Sequence, residues 1–207
     1  MDARAVAALS APPPGFPREI SREAMAALPI RRYEGEVVLV ETRSHLARAV
    51  EDIHQARVVG WDTETRPAFR KGEAYLPSLV QVATARAVYV IPVQRIDASG
   101  EVAGFFGAAG IVKVGISVAD DLRQLKKLFA FEEKTTVDLG KVAHRHGLKQ
   151  TGLRNLAGIF LGSRIPKGAK TTNWAAPRLS AQQINYAATD AWACRELYLR
   201  FRGLGMV

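Results

Sequence analysis

From Val37 onward, apolar runs and amphipathic stretches alternate in a regular order. VVLV, Val37 to Val40, reads as a buried strand, and after Thr42 the residues Leu46, Ala49, Val50 and Ile53 fall at helical spacing. A second apolar run starts at Val58 and ends in the polar stretch WDTET. LVQVAT and AVYVIPV follow, separated by a short turn around Ala85, which is the signature of an antiparallel hairpin. IVKVGI predicts a further strand, and the residues after it a helix from about Val118 to Phe129. The remainder is helical, with GLRNLAGIFLG and a last helix from Ser180, where Ser180 and Gln183 form an S-x-x-Q capping box. Strands early and helices late predict an α/β domain, a mixed sheet of five to six strands flanked by helices.

Residues 1–35 break this pattern. APPPGFP excludes helix and central strand, so only a short helical piece from Ser21 to about Leu28 is expected there. The segment is read as a partly disordered N-terminal extension, which leaves residues 36–203 as the single domain. With 48% hydrophobic residues in 207, a core of that size is affordable.

Charge narrows the partners. Lys and Arg number 29 against 20 Asp and Glu, a net +9 that favours polyanions, nucleic acid first. Cys194 is the sole cysteine, which excludes an intrachain disulfide and a cysteine-built zinc site. The N-terminus lacks the apolar core of a signal peptide, and no later segment has the length to span a bilayer. A protein of the cytoplasm, without membrane or disulfide partner, is expected; its oligomeric state is not readable.

Against this basic background four acids stand next to apolar sequence. Asp62 and Glu64 are two apart at the end of a strand, so both point to the same side. In the helix after IVKVGI, Val118, Leu122, Leu125 and Phe129 form the apolar stripe. Asp121 falls within that stripe, and Asp120 points away as ordinary surface. Tyr186 and Asp190 are four apart and share one helical face. Carboxylates crowded beside apolar residues repel unless cations neutralise them, and an all-oxygen donor set selects magnesium or manganese. His144 and His146 point in different directions on a helix and are not expected to be ligands.

Together, WDTETRP, KVGISVADDLRQL and YAATDAWA resemble the three motifs of the DEDD superfamily of 3'-5' exonucleases, whose fold is ribonuclease H-like, over about Glu36 to Arg202. Tyr186 resembles the tyrosine form of ribonuclease D and the Werner syndrome exonuclease; the position of the histidine-branch base holds Asn185. KTTNW, Lys170 to Trp174, is similar to the S-N-W stretch of ribonuclease D-like enzymes, with Thr172 at the serine position. The resemblance implies two divalent cations, Mg2+ or Mn2+. Asp62 would bridge them, Glu64 and Asp190 would complete the water-activating site, and Asp121 would hold the second ion. Tyr186 would orient the attacking water, since a phenol is a poor base at neutral pH. The implied partner is RNA or DNA with a free, single-stranded or frayed 3' end, and the product nucleoside 5'-monophosphates. Arg66, Lys167, Lys170, Asn173 and Trp174 are the candidate nucleic-acid contacts. Two alternatives stand beside this reading: a nucleic-acid-binding scaffold of the same fold that has lost catalysis, and an enzyme acting on small phosphorylated substrates. The presence of all five motif residues weighs against the first, and the basic excess against the second.

Overall fold

A six-stranded mixed sheet forms the frame of the chain, seen in a computed structural model that describes residues 11–168 and 171–207. Its strands are β1 (Glu36–Leu39), β2 (Val58–Thr65), β3 (Pro77–Ala83), β4 (Ala87–Ile91), β5 (Val112–Gly115) and β6 (Thr136–Asp138), in the spatial order β1-β4-β3-β2-β5-β6. β3 runs antiparallel to β2 and β4, and every other pair is parallel. Every residue of β3 and β4 is buried, which is why both read as near-continuous apolar runs. The expected hairpin and the mixed sheet are present. The sixth strand, three residues long, is too short to show a period.

Seven helices are described: α1 (Arg22–Ala27), α2 (Arg43–Gln55), α3 (Ser99–Gly107), α4 (Ala119–Leu125), α5 (Leu139–Arg145), α6 (Leu153–Leu161) and α7 (Ala181–Gly203). Local chemistry sets several ends. Thr42 accepts a hydrogen bond from the His45 amide, Ser180 and Gln183 close the capping box, and Gly162 ends α6 at a φ of 60°. α4 is shorter than its pattern predicts. After Leu125 the chain tightens into turns, with Lys127 N–H donating to Gln124 O and Leu128 N–H to Leu125 O, and Phe129 stays in the core.

The strands send alternate side chains into two helical layers. Val59, Trp61, Val80, Val82 and Tyr89 face α2, α3 and α4. Val58 and Val114 face α5, α6 and α7, while Leu79 and Val90 lie under α7 with Trp174 and Ala187. α7 comes unusually close to the sheet. A Cβ on Gly60 of β2 would stand 1.9 Å from the Ala191 carbonyl oxygen and 2.6 Å from the Arg195 nitrogen. Only glycine permits that approach, and the small side chains of Ala187, Ala188 and Ala191 extend it along the helix.

Of the expected N-terminal extension, residues 1–10 lie outside the described residues; the part from Phe16 to Met25 is laid over α6. Phe16 stacks on Phe160 at 4.8 Å, Ile20 N–H donates to Gln150 Oε1 at 3.0 Å, and Met25 of α1 fills the space above Gly158. Among the described residues no helix is long and apolar enough to cross a membrane.

A lysine sits inside the first layer. Lys113 of β5 is buried, its ammonium donates to the Ala108 carbonyl, and burial lowers its pKa to about 8. An unfolded lysine holds its proton to about pH 10.4, so between these values the unfolded chain binds the extra proton and stability rises with pH. Lys113→Met should flatten the curve of unfolding free energy between about pH 8 and 10 relative to the parent, read from urea titrations at each pH. Gly60→Ala should cost about 3 kcal/mol in the same assay, because the added methyl meets backbone that has no room to move.

Candidate active site

β2 carries the first two acids out of the core on the α7 side. Asp62 and Glu64 are on the same face as Gly60, opposite Gln81 and Leu79 of β3, and the register slips just beyond, between Glu64 and Thr65. Because Gly60 admits α7 so closely, Asp190 descends onto the same spot. Carboxylate oxygens of Asp62, Glu64 and Asp190 all lie within 4.8 Å of one another, and Glu64 and Asp190 are buried. Three like charges this close and this dry oppose folding unless cations or protons offset them. The donor set is oxygen only, which fits hard divalent cations.

Tyr186 lies one turn before Asp190 on α7 and faces the same acids. Burial raises its pKa first, with the charges of Asp190 and Glu64, a hydrogen bond to Asp190 and the charge of Asp62 adding to it. The phenol therefore stays protonated across the physiological range and serves as a donor. Its ring is held from both sides. Trp174 lies behind it at 6.0 Å between ring centroids, and a Cβ on Gly168 would stand 2.0 Å from its Cδ2.

The sequence also expects Asp121 here, which is not one of the three acids within 4.8 Å of one another. Asp121 does point inward while Asp120 is exposed and paired with Arg123, as the helical phase predicts. However, α4 belongs to the opposite layer, so Asp121 meets β2 from the face of Thr63. It accepts a hydrogen bond from the Thr63 hydroxyl. Burial raises its pKa, and the Thr63 bond opposes that shift. Asp121 is thus tied to β2 through the residue that separates Asp62 from Glu64.

The nucleic-acid candidates divide between two clefts. Arg66 and Asn173 meet in one of about 460 Å³, with Phe69 and Arg70, and Arg66 lies over the Tyr75 ring at 4.7 Å. Lys167 lines another, of about 390 Å³, with Tyr186 and Asp190. Lys170 lies outside the described residues. Trp174 is a correction: it is 0% exposed between Leu79, Val90 and Ala187, so it supports the tyrosine and meets no base. Thr172 owes its hydroxyl to structure as well, accepting from the Gln183 side chain at 3.0 Å and so tying this loop to the start of α7.

Sequence reasoning passed over Gly168, Phe69 and Gln81. The exposed Phe69 (80%) between two arginines carried a legible signal, an aromatic interleaved with basic residues. Gln81, fully buried directly across from Asp62, looked like an ordinary interruption of an apolar strand.

A family profile described as 3'-5' exonuclease matches residues 37–204. A 3'-5' exonuclease of Arabidopsis thaliana is 30% identical over 199 residues, covering 86% of this chain and 68% of that protein. Ribonuclease D of Haemophilus influenzae is 30% identical over 70% of this chain and 36% of its own length. The exonuclease mut-7 homolog of Aedes aegypti is 23% identical over 82% of the chain, which spans only 27% of that relative. Among solved structures, the Aedes aegypti Nibbler EXO domain superposes with a TM-score of 0.75 at 24% identity, covering 86% of this chain and 92% of that one. Escherichia coli RNase D gives 0.72 at 19% identity, covering 83% and 47%, which establishes the ribonuclease H-like fold. With that profile spanning the whole sheet and all helices from α2 to α7, the chain belongs to the DEDD family of 3'-5' exonucleases, in the branch that carries tyrosine in its third motif.

Proposed function

We propose that this chain is a metal-dependent 3'-5' exonuclease that releases nucleoside 5'-monophosphates from single-stranded or frayed 3' ends of RNA or DNA. The observation that carries the reading is the convergence of Asp62, Glu64 and Asp190 within 4.8 Å beside Tyr186. These three carboxylates would hold divalent cations, two Mg2+ or Mn2+ in the full reading, with Asp121 as the fourth acid. When bound, such ions neutralise charge on the phosphoryl group and lower the pKa of the attacking water.

The chain's own residues do the rest. Tyr186, kept neutral by burial and by the neighbouring acids, donates its proton in a hydrogen bond that orients the water for in-line attack. Trp174 and Gly168 hold the ring in place for that donation. Arg66, Arg70 and Asn173 line a basic cleft suited to a phosphodiester backbone. Trypanosoma brucei RNase D, similar in fold at 18% identity, has been seen in complex with RNA U12, which supports a single-stranded polymer as the substrate class. A chain whose only cysteine is buried in α7 suits the reducing cytoplasm.

The deciding experiment incubates the chain with labelled single-stranded DNA and RNA under magnesium, manganese or chelator. Stepwise shortening from the 3' end, abolished by chelator and by Asp62→Asn, is the expected result; binding without shortening would leave a scaffold. Asp62→Asn should also lose the rise in melting temperature that Mn2+ gives the parent. Tyr186→Phe and Gly168→Ala should each lower kcat by about 10- to 100-fold. Both should keep the Mn2+ response, since neither removes a carboxylate.

A further inference from the structure

The cleft of about 390 Å³ on the Tyr186 side of the acidic centre receives one residue from ahead of the family-matched region: Arg32. The backbone on both sides of it is fixed. Arg31 N–H donates to the Arg164 carbonyl at 3.1 Å, and Arg164 N–H to the Pro29 carbonyl at 2.8 Å. Tyr33 N–H donates to Thr189 Oγ1 at 3.1 Å, and the Asn185 side-chain amide to the Tyr33 carbonyl at 3.3 Å. The neighbouring side chains turn to Trp192, with the Arg31 guanidinium 4.9 Å from its ring and the Tyr33 ring 6.0 Å away. Arg32, between them, lines the cleft together with Lys167, Gln182, Tyr186 and Asp190. It makes no ion pair or hydrogen bond with the described residues.

Two cations therefore flank a cleft whose floor carries the tyrosine and one of the acids. A guanidinium left uncommitted, while the backbone around it is tied down by four hydrogen bonds, is held ready for an anion. The planar fork of arginine matches a phosphate with two parallel bonds, and lysine adds a point charge. A volume of about 390 Å³ falls in the range of about 300 to 1,000 Å³ usual for small-ligand sites, enough for one nucleotide. We propose that Arg32, positioned by the N-terminal segment, forms with Lys167 a phosphate-binding subsite next to Tyr186. It would take a nucleotide phosphate, either from the strand beside the scissile bond or from the released monophosphate. The proposal rests on the exonuclease reading for the identity of its ligand, and on Arg32's own geometry for the site.

The test compares the parent with Arg32→Ala, Arg32→Lys and, as a charge control on exposed surface, Arg202→Ala. Anisotropy of a labelled single-stranded oligonucleotide is titrated in EDTA, where no cleavage is required. If the strand supplies the phosphate, Arg32→Ala weakens binding about fivefold and lowers the log–log salt slope by about 0.7, Arg32→Lys falls between, and Arg202→Ala matches the parent. If the product supplies it, oligonucleotide affinity holds while the inhibition constant of added nucleoside 5'-monophosphate rises about fivefold in the shortening assay. Arg32→Ala equal to the parent in both measurements overturns the proposal. A parent that binds but never shortens defeats the exonuclease reading instead, and the EDTA titration alone then decides on Arg32.

Discussion

The site exists because the backbone of α7 rests on the backbone of β2 at Gly60. Side chains ordinarily hold a helix about 10 Å from the sheet it covers. Here glycine on the strand and alanines on the helix remove that spacer, and the Ala191 carbonyl stands where a Cβ of residue 60 would be. Asp190, one residue before, is thereby set against Asp62 and Glu64. Burying this close contact in dense packing makes the relative placement of strand and helix rigid, as a site for fixed-geometry chemistry requires.

Electrostatics then defines what the rigid frame is for. The chain carries a net +9, yet three of its acids converge beside a phenol whose own ionisation they suppress. The basic residues line two clefts, Arg66 and Arg70 in one, Arg32 and Lys167 with Asp190 in the other. Acids gathered in a chain with this basic excess suit a polyanionic ligand. Trp174 and Gly168 hold the tyrosine ring from two sides. They convert a flexible side chain into a fixed hydrogen-bond donor at little entropic cost.

The N-terminal segment belongs to this arrangement. Its prolines leave it only the short helix α1, but Phe16, Ile20 and Met25 are half-buried over α6, and Tyr33 is bonded to Asn185 and Thr189 of α7. A stretch without sheet or long helix is here tied to the face of α7 next to the one that carries Tyr186.

What could be read from residues alone was whatever depends on periodicity. Alternation put Asp62 and Glu64 on one face, helical phase separated Asp121 from Asp120, four-residue spacing paired Tyr186 with Asp190, and capping chemistry marked Ser180 as the start of α7. Each of those is a rule acting over a few neighbours, so the primary structure by itself determined the α/β architecture, the family and the set of acids. Tertiary structure decided the distances. It drew three acids together and set Asp121, from the opposite layer, on the Thr63 hydroxyl between two of them. It buried Trp174 and brought Arg32 to Tyr186 from more than 150 positions away. Such meetings depend on which layer each element joins and how closely it packs, and no local pattern in the chain encodes either.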